Sequence, residues 1–245
     1  MEIKGFRKVS FIDYPGKVSA VIWTPGCNFR CPFCYNTDLV LNPSSLPSYQ
    51  EEEVLNHLNK EKKFLDGLVI TGGEPLLQKD LSEFISKVKK KNFLVKIDTN
   101  GSFPELLQNL IEQTLIDFVS MDIKAPLEEE KYCLTAGLGT KDVRHILASV
   151  IQTIDLLLSL TVEYELRTTV APGILTEEDF LEIGRFVKGR SKEGVPPKRY
   201  VVQNFFPAPT INPEFSTGKP WEPERIKGLK ENLQPFFQEV LIRSR

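Results

Sequence analysis

Residues 24–36, with the sequence TPGCNFRCPFCYN, hold Cys27, Cys31 and Cys34, three of the four cysteines in a chain of 245 residues. Cysteine is scarce elsewhere, so this C-x3-C-x2-C cluster needs a chemical explanation. Thiolates are soft ligands that suit iron–sulfur clusters, zinc or copper(I). A cubane cluster has four irons, and ferredoxin-type sites supply four thiolates for them. Three thiolates would leave one iron open to a ligand from outside the protein.

Two other interpretations of the cysteines are disfavoured. A disulfide with one spare thiol is disfavoured because no signal peptide opens the chain and nothing indicates an oxidising compartment. A structural zinc site normally takes four Cys or His ligands, and the only histidines, His57 and His145, fall in segments predicted to be helices. Cys133 could complete either site, but beside Tyr132 and Leu134 it is better interpreted as a buried apolar residue. The spacing favours the open-site iron–sulfur cluster.

Length and composition limit the class of protein. A chain of 245 residues can bury a full core, and we expect one domain over residues 1–245. The net charge of −2 gives a weak overall field, so neither nucleic acid nor an anionic membrane surface is an expected partner. No apolar run approaches the roughly 20 residues of a membrane helix. We therefore expect a cytoplasmic protein with reduced thiols.

Short apolar segments alternate with helical patterns along the chain. Strands are predicted at 18–24, 68–71, 93–98, 118–123, 161–170 and 200–206. Helices are predicted at 48–65, around 81–88 and 104–111, and at 142–158, 177–188 and 223–237. This alternation favours an α/β fold of parallel β/α units with right-handed crossovers.

Polar motifs follow four of the predicted strands. The cysteine loop follows the first strand, GGEP (72–75) the second and DTNG (98–101) the third, while DIK (122–124) ends the fourth. In β/α barrels the active site is built at the carboxyl ends of several strands. The four motifs are therefore predicted to belong to one site.

The glycine-rich motifs have both a functional and a structural interpretation. Gly72 and Gly73 permit backbone conformations and close approaches that a Cβ would resist, and Glu74 after them could hold the amino group of a small ligand. A turn between strand and helix explains the same residues without a ligand. Residues 99–101, Thr-Asn-Gly, are likewise a plausible turn.

Three charged residues are candidates for an interior site. Asp122 and Lys124 alternate with apolar neighbours, so both point to one face of their strand. An ion pair on an interior face must be satisfied mutually or serve a ligand. Arg167 could hold a carboxylate through two hydrogen bonds, and a structural salt bridge is the alternative.

Two motifs together carry a family resemblance. CNFRCPFC, with Phe33 directly before the third cysteine, and TGGEP at 71–75 resemble the radical S-adenosylmethionine (SAM) superfamily. Further motifs resemble those of glycyl-radical-enzyme activases, in particular the activating proteins of anaerobic ribonucleoside-triphosphate reductases. They are DYPG (13–16), CYN after the cluster, DTNG, MDIK and the strand that contains Arg167.

The resemblance implies a partial (β/α)6, TIM-like barrel with a [4Fe-4S] cluster on Cys27, Cys31 and Cys34. The remaining iron would bind SAM, and reductive cleavage would give methionine and a 5′-deoxyadenosyl radical. That radical would take a hydrogen from the Cα of a glycine in the partner, a glycyl-radical enzyme and most specifically an anaerobic ribonucleotide reductase. A flavodoxin- or ferredoxin-type protein would donate the electron. The cofactors carry the chemistry, so no catalytic acid or base is assigned.

The resemblance also implies the residues that bind SAM. Gly72, Gly73 and Glu74 would hold the methionine amino end, and the aromatic residues would lie near the adenine. At the end of the sixth strand, where pyruvate formate-lyase activases carry a histidine, this chain offers only glutamine or asparagine. The implied SAM-binding residues are Phe33, Tyr35, Gly72, Gly73, Glu74, Asn100, Asp122, Lys124, Arg167, Gln203 and Asn204. Asp98, Thr99 and Asp122 resemble a monovalent-cation site of the pyruvate formate-lyase activases.

Two other functions compete with the activase. A small-molecule radical SAM enzyme such as 7-carboxy-7-deazaguanine synthase has a similar size and also carries GGEP. DIK and Arg167 favour the activase, and Tyr35, in place of a Ser or Thr after Cys34, weakens this alternative. A plain electron carrier or iron–sulfur scaffold is the second, and it would need no SAM pocket.

Overall fold

The computed structural model describes residues 1–244, in which strands and helices alternate in an α/β fold. The strands are β1 (Gly5–Ser10), β2 (Ser19–Thr24), β3 (Gly67–Gly72), β4 (Leu94–Thr99), β5 (Phe118–Asp122), β6 (Glu163–Thr169), β7 (Arg199–Gln203) and β8 (Glu239–Arg243). The α-helices are α1 (Thr37–Leu41), α2 (Glu51–Lys60), α3 (Leu81–Lys89), α4 (Pro104–Glu112), α5 (Glu129–Ala136), α6 (Val143–Ser159), α7 (Glu177–Arg190) and α8 (Pro223–Leu233). No helix within residues 1–244 has the length and apolar character needed to cross a membrane.

The first of two compact units comprises residues 1–28, 36–99 and 105–120. Its strands lie in the order β1-β2-β3-β4-β5, with β1 antiparallel to β2 and with β2, β3 and β4 parallel. Val21 of β2 lies opposite Val69 of β3, and both pack with Tyr14 and Phe118 in a buried cluster. Continuous burial along β2 and β3 is typical of parallel strands that are covered on both faces.

The second unit comprises residues 29–35, 100–104 and 121 onward. Its strands lie in the order β6-β7-β8, and all three are parallel. The ring of Tyr200 in β7 stacks on Phe237 with centroids 4.6 Å apart. Arg243 of β8 donates two 2.9 Å hydrogen bonds to the buried carboxylate of Glu165 in β6. This bidentate pair satisfies a buried charge that would otherwise oppose folding.

The six predicted strands are confirmed as β2 to β7, and each ends within a few residues of its predicted end. The prediction of α2 was too long, because the helix ends at Lys60 and residues 61–64 form a turn. Strands β1 and β8 and helices α1 and α5 were not predicted. β1 and β8 are partly exposed and mix charged with apolar residues, and the eight residues of α5 have no clear apolar stripe.

Helix α7 starts with a capping box formed by Thr176 and Asp179. The Thr176 N–H donates to an Asp179 carboxylate oxygen at 2.6 Å, and the Thr176 hydroxyl donates to the same oxygen at 2.9 Å. This arrangement satisfies a backbone donor at the helix start and fixes the point where the loop after β6 enters the helix.

Candidate active site

The second and third cysteines lie in a tight loop of the second unit. The Cys34 N–H donates to the Cys31 carbonyl at 3.1 Å. The segment after β7 holds this loop, since the Ile211 N–H donates to the Cys34 carbonyl at 3.2 Å and the Asn212 N–H donates to the Pro32 carbonyl at 2.9 Å. Cys31 is buried and Cys34 is partly exposed. Backbone hydrogen bonds therefore fix the conformation of a loop that has no regular secondary structure.

Aromatic contacts secure the same loop. Phe33 is buried with its ring centroid 6.4 Å from that of Phe215, and Tyr35 lies 5.9 Å from Phe205. The Phe206 N–H donates to the Tyr35 hydroxyl at 3.2 Å. Both predicted adenine-side residues thus pack against the segment after β7. Their contact with the adenine of SAM stays a prediction.

In the first unit, the diglycine turn lies directly against the backbone that leads into Cys27. The Gly73 N–H donates to the Thr24 carbonyl at 3.0 Å, and the Glu74 N–H donates to the Gly26 carbonyl at 2.8 Å. Gly72 has φ +126°, and a Cβ on Gly73 would lie 1.7 Å from the Gly26 carbonyl oxygen. The group approached is the backbone just before the first cysteine, and the close approach of a ligand to these glycines stays a prediction.

The carboxylate of Glu74 is fully buried and anchored within the first unit. One of its oxygens accepts a 2.9 Å hydrogen bond from the Thr99 hydroxyl and a 3.1 Å bond from the Leu76 N–H. Asn36, the last residue of the CYN motif, was assigned no role from the sequence, and it donates its side-chain amide to the Gly72 carbonyl at 2.7 Å. Its position two residues after the third cysteine is the signal that could have identified it.

Asp122, Lys124 and Arg167 form a network of ion pairs in the second unit. Lys124 Nζ lies 2.9 Å from one Asp122 oxygen, and Arg167 Nε lies 2.7 Å from the other. The Ile123 N–H donates to the Arg167 carbonyl at 2.8 Å, which aligns the two strand ends. The prediction that Asp122 and Lys124 share a face is confirmed. The Asp122 carboxylate is thus held between two cationic side chains.

The protonation states of this network are strongly biased. Burial opposes the charge on Asp122, but Arg167 and Lys124 outweigh it and hold the pKa of the carboxyl well below its ordinary range. Burial also opposes the charge on Lys124. The nearby Asp122, Cys31 and Cys34 outweigh burial and raise the pKa of the Lys124 ammonium group above the ordinary value. All three groups are therefore ionised at neutral pH. The ammonium group of Lys124 also lies close enough to Cys31 and Cys34 to interact with their charge.

Three amide side chains were predicted to contact SAM. The side-chain oxygen of Asn100 (Oδ1) accepts hydrogen bonds from the backbone N–H of Ser102 at 3.0 Å and from the Ser102 hydroxyl at 2.6 Å. Asn204 donates to the Trp221 carbonyl at 2.8 Å and accepts from the Trp221 N–H at 3.0 Å, so its amide joins two backbone segments. Gln203 is partly buried at the end of β7. The engagement of Asn204 makes Gln203 the better candidate at this strand end.

The two carboxylates of the predicted cation site already have cationic partners. Asp98 pairs with Lys96, whose ammonium group is buried, and Asp122 pairs with Lys124 and Arg167. Among residues 1–244, no group of three or more His, Cys, Asp or Glu side chains is gathered to hold a metal ion. The cation site and the three-cysteine ligand set both stay predictions.

Cys133 differs from its expected environment. It lies on α5 and is partly exposed rather than buried, with Leu134 next to it 57% exposed. The helix buries Tyr132, Thr135 and Ala136 instead, which leaves Cys133 at the edge of the packed face. Partial burial and the nearby Glu129 raise the pKa of its thiol.

The contact between Gly73 and Gly26 predicts a sharp effect of a single methyl group. Gly73→Ala should lower the free energy of unfolding by about 3 kcal/mol, because the new Cβ overlaps backbone that cannot move alone. It should also lower the iron content after anaerobic reconstitution, because the displaced backbone leads into Cys27. The matched control is Gly228→Ala in α8, which meets no neighbour and should raise stability by up to ~1 kcal/mol. Equal stability and iron content in the two variants would contradict the proposed tight contact.

The low pKa of Asp122 predicts a pH-dependent contribution to stability. Since its folded pKa lies below the unfolded value of about 4, its contribution is complete above about pH 5 and is lost as pH falls through the folded pKa. Asp122→Asn should therefore cost roughly 2–3 kcal/mol at pH 7 in urea unfolding, and the difference from wild type should narrow below about pH 4. Asp155→Asn, which removes an exposed pair with Arg190, should cost less than about 1 kcal/mol. A difference for Asp122→Asn that stays constant down to pH 3 would contradict the assignment.

Comparison with known proteins gives the family. Residues 21–187 match the model of the radical SAM superfamily. A protein of Methanocaldococcus jannaschii that carries the provisional name glycyl-radical enzyme activating enzyme is 34% identical over 243 residues, which cover 99% of this chain and 95% of that protein. The pyruvate formate-lyase-activating enzyme of Listeria monocytogenes is 33% identical over 136 residues, covering 51% of this chain and 53% of that enzyme.

Solved structures agree on the fold. The Streptococcus suis protein SuiB, in a crystal structure bound to S-adenosylmethionine, matches 91% of this chain and 48% of its own length, with a TM-score of 0.63 and 12% identity. At this identity the likeness concerns the fold alone, and it confirms the predicted α/β fold with the partial, TIM-like barrel of radical SAM enzymes. The chain therefore belongs to the radical SAM superfamily, whose enzymes use a [4Fe-4S] cluster and SAM, and within it to the glycyl-radical enzyme activating enzymes.

Proposed function

We propose that this enzyme generates a glycyl radical on a partner protein, and that the partner is an anaerobic ribonucleotide reductase. The observation that carries the proposal is the alignment with a relative named for glycyl-radical enzyme activation over nearly the whole of both chains. Only Cys133 lies outside the cysteine motif, which leaves few thiols for the auxiliary clusters of multi-cluster radical SAM enzymes. The motifs DYPG and MDIK support the reductase as the partner through the resemblance described above.

Cys27, Cys31 and Cys34 are the proposed ligands of the cluster. Three thiolates on a short loop suit iron–sulfur chemistry, and they leave one iron for SAM. No disulfide joins the cysteines within residues 1–244, so each sulfur can act as a thiolate ligand. When bound, the cluster supplies the electron that splits SAM into methionine and a 5′-deoxyadenosyl radical.

The protein residues bind and orient SAM in this proposal. The cationic side chains of Lys124 and Arg167, which pair with Asp122, suit the methionine carboxylate. The buried carboxylate of Glu74 suits the methionine amino group. Gly72 and Gly73 are assigned to the same end of SAM by resemblance, while their tight contacts with residues 24–26 keep the turn in one conformation.

The remaining SAM contacts and the redox partner rest on the resemblance. Phe33, Tyr35, Asn100 and Gln203 are the other proposed SAM-binding residues. We propose a flavodoxin- or ferredoxin-type electron donor and a cytoplasmic location for the enzyme. Residues 1–245 are proposed to form one domain, because both compact units are assembled from segments that alternate along the chain.

The activity is tested anaerobically with reduced, reconstituted enzyme, SAM and a candidate anaerobic ribonucleotide reductase. We expect an EPR doublet from a glycyl radical on the reductase, together with methionine and 5′-deoxyadenosine. A reductase variant with alanine in place of the radical-bearing glycine is the control and should give no doublet. Deoxyadenosine release without any radical on the partner would contradict the activase and favour a small-molecule substrate.

The ligand assignment predicts opposite results for two cysteines. Cys34→Ala should lose the intact cubane, whereas Cys133→Ala should keep wild-type iron, sulfide and activity. Iron and sulfide analysis with ultraviolet–visible absorption after identical reconstitution measures the difference. Wild-type iron and sulfide in Cys34→Ala, or loss of the cluster in Cys133→Ala, would show that the ligands were misassigned.

A further inference from the structure

The hydroxyl of Tyr132 is buried in the second unit without an acceptor for its hydrogen. Within residues 1–244, only the hydroxyls of Tyr132 and Ser19 are fully buried side-chain polar atoms that make no hydrogen bond. The backbone of Lys124 lies beside the Tyr132 hydroxyl and acts on its oxygen as a hydrogen-bond donor. A donor at this place leaves the hydrogen of the hydroxyl without an acceptor. A buried tyrosine hydroxyl normally finds a partner, because its loss of hydration is otherwise uncompensated.

The helix that carries Tyr132 is attached to the cysteine loop. The Arg30 N–H donates to the Ala136 carbonyl at the end of α5 at 2.9 Å. Gly137, which follows, has φ +63°, and a Cβ there would lie 2.0 Å from the Arg30 carbonyl oxygen. The ring of Tyr132 meets Phe29 edge-on, with centroids 6.4 Å apart. Tyr132 is thus held against the segment between the first two cysteines, with no exposed surface.

The charged surroundings of the hydroxyl indicate what it serves. Burial raises the pKa of the hydroxyl above the ordinary value, Cys31 and Asp122 add to this effect, and the charge of Lys124 opposes it. A tyrosine hydroxyl has an ordinary pKa of about 10 and carries its proton at neutral pH. A protonated hydroxyl beside Cys31 and Lys124 can donate one hydrogen bond to an anion held there.

We propose that Tyr132 is a positioning residue that donates a hydrogen bond to the anionic group bound beside Cys31 and Lys124. This group is either a sulfur of the cluster ligated by Cys31 or the carboxylate of SAM. The inference rests on the proposed ligand role of Cys31 and does not depend on the identity of the partner enzyme. The apo chain leaves the hydroxyl unsatisfied, and the bound cofactor satisfies it.

Tyr132→Phe removes only the hydroxyl, so it isolates this hydrogen bond. If the acceptor is a cluster sulfur, the midpoint potential of the reconstituted cluster without SAM should fall, because hydrogen bonds to sulfur stabilise the reduced state. If the acceptor is the SAM carboxylate, the potential should be unchanged and the Kd of SAM should rise about tenfold. EPR-monitored redox titration and SAM binding by the holoenzyme distinguish the two sources.

Tyr200→Phe is the matched control, because Tyr200 is equally buried and its hydroxyl hydrogen bonds to the Thr168 hydroxyl at 2.6 Å. In thermal unfolding of the cluster-free chain, Tyr200→Phe should lower the melting temperature. Tyr132→Phe should keep or raise it, because it removes a hydroxyl that has no acceptor.

A potential and a SAM affinity both equal to wild type in Tyr132→Phe, with the cluster retained, would overturn this inference alone. A melting temperature lowered as much as in Tyr200→Phe would also overturn it, because the hydroxyl would then have a partner in the apo chain. Absence of a cluster from the wild type would overturn the ligand assignment and this inference together.

Discussion

The proposed cluster site depends on the conformation of the loop that carries Cys27, Cys31 and Cys34, because this loop contains no helix or strand. Backbone hydrogen bonds fix this conformation separately in each unit. In the first unit, the turn after β3 packs on the backbone of Thr24 to Gly26, and only glycine fits at Gly73. In the second unit, the Ile211 N–H binds the carbonyl of Cys34 and the Arg30 N–H binds the end of α5. A loop fixed in this way loses little conformational entropy when a cofactor binds.

Electrostatics determines what the site can accept. The network of Asp122, Lys124 and Arg167 remains ionised because each charge has an opposite partner at hydrogen-bond distance. Its cationic side chains, Lys124 and Arg167, suit a carboxylate ligand. The burial of Glu74 in the first unit, with hydrogen bonds from Thr99 and Leu76, keeps a single carboxylate in a fixed position. In the proposed function these charges would bind and orient SAM, while the cofactor would supply the reactive electron.

Much of this arrangement could be predicted from the sequence, because its signals are local. Buried strands such as β2 and β3 appear as continuous apolar runs, and the polar motifs follow their ends directly. Helix α5 was missed because its eight residues form no clear apolar stripe along the sequence. The sequence also could not reveal that Asn204 is engaged by Trp221, since an amide side chain has no fixed preference among partners.

The central claim is that a cluster held by three thiolates leaves one iron for SAM. Mössbauer spectroscopy of the reconstituted enzyme enriched in iron-57 tests it most directly. We expect the four irons to be equivalent in pairs without SAM, and we expect SAM to shift the signal of a single iron, one quarter of the total. A spectrum that SAM leaves unchanged, or a purified protein that holds only zinc, would contradict the account.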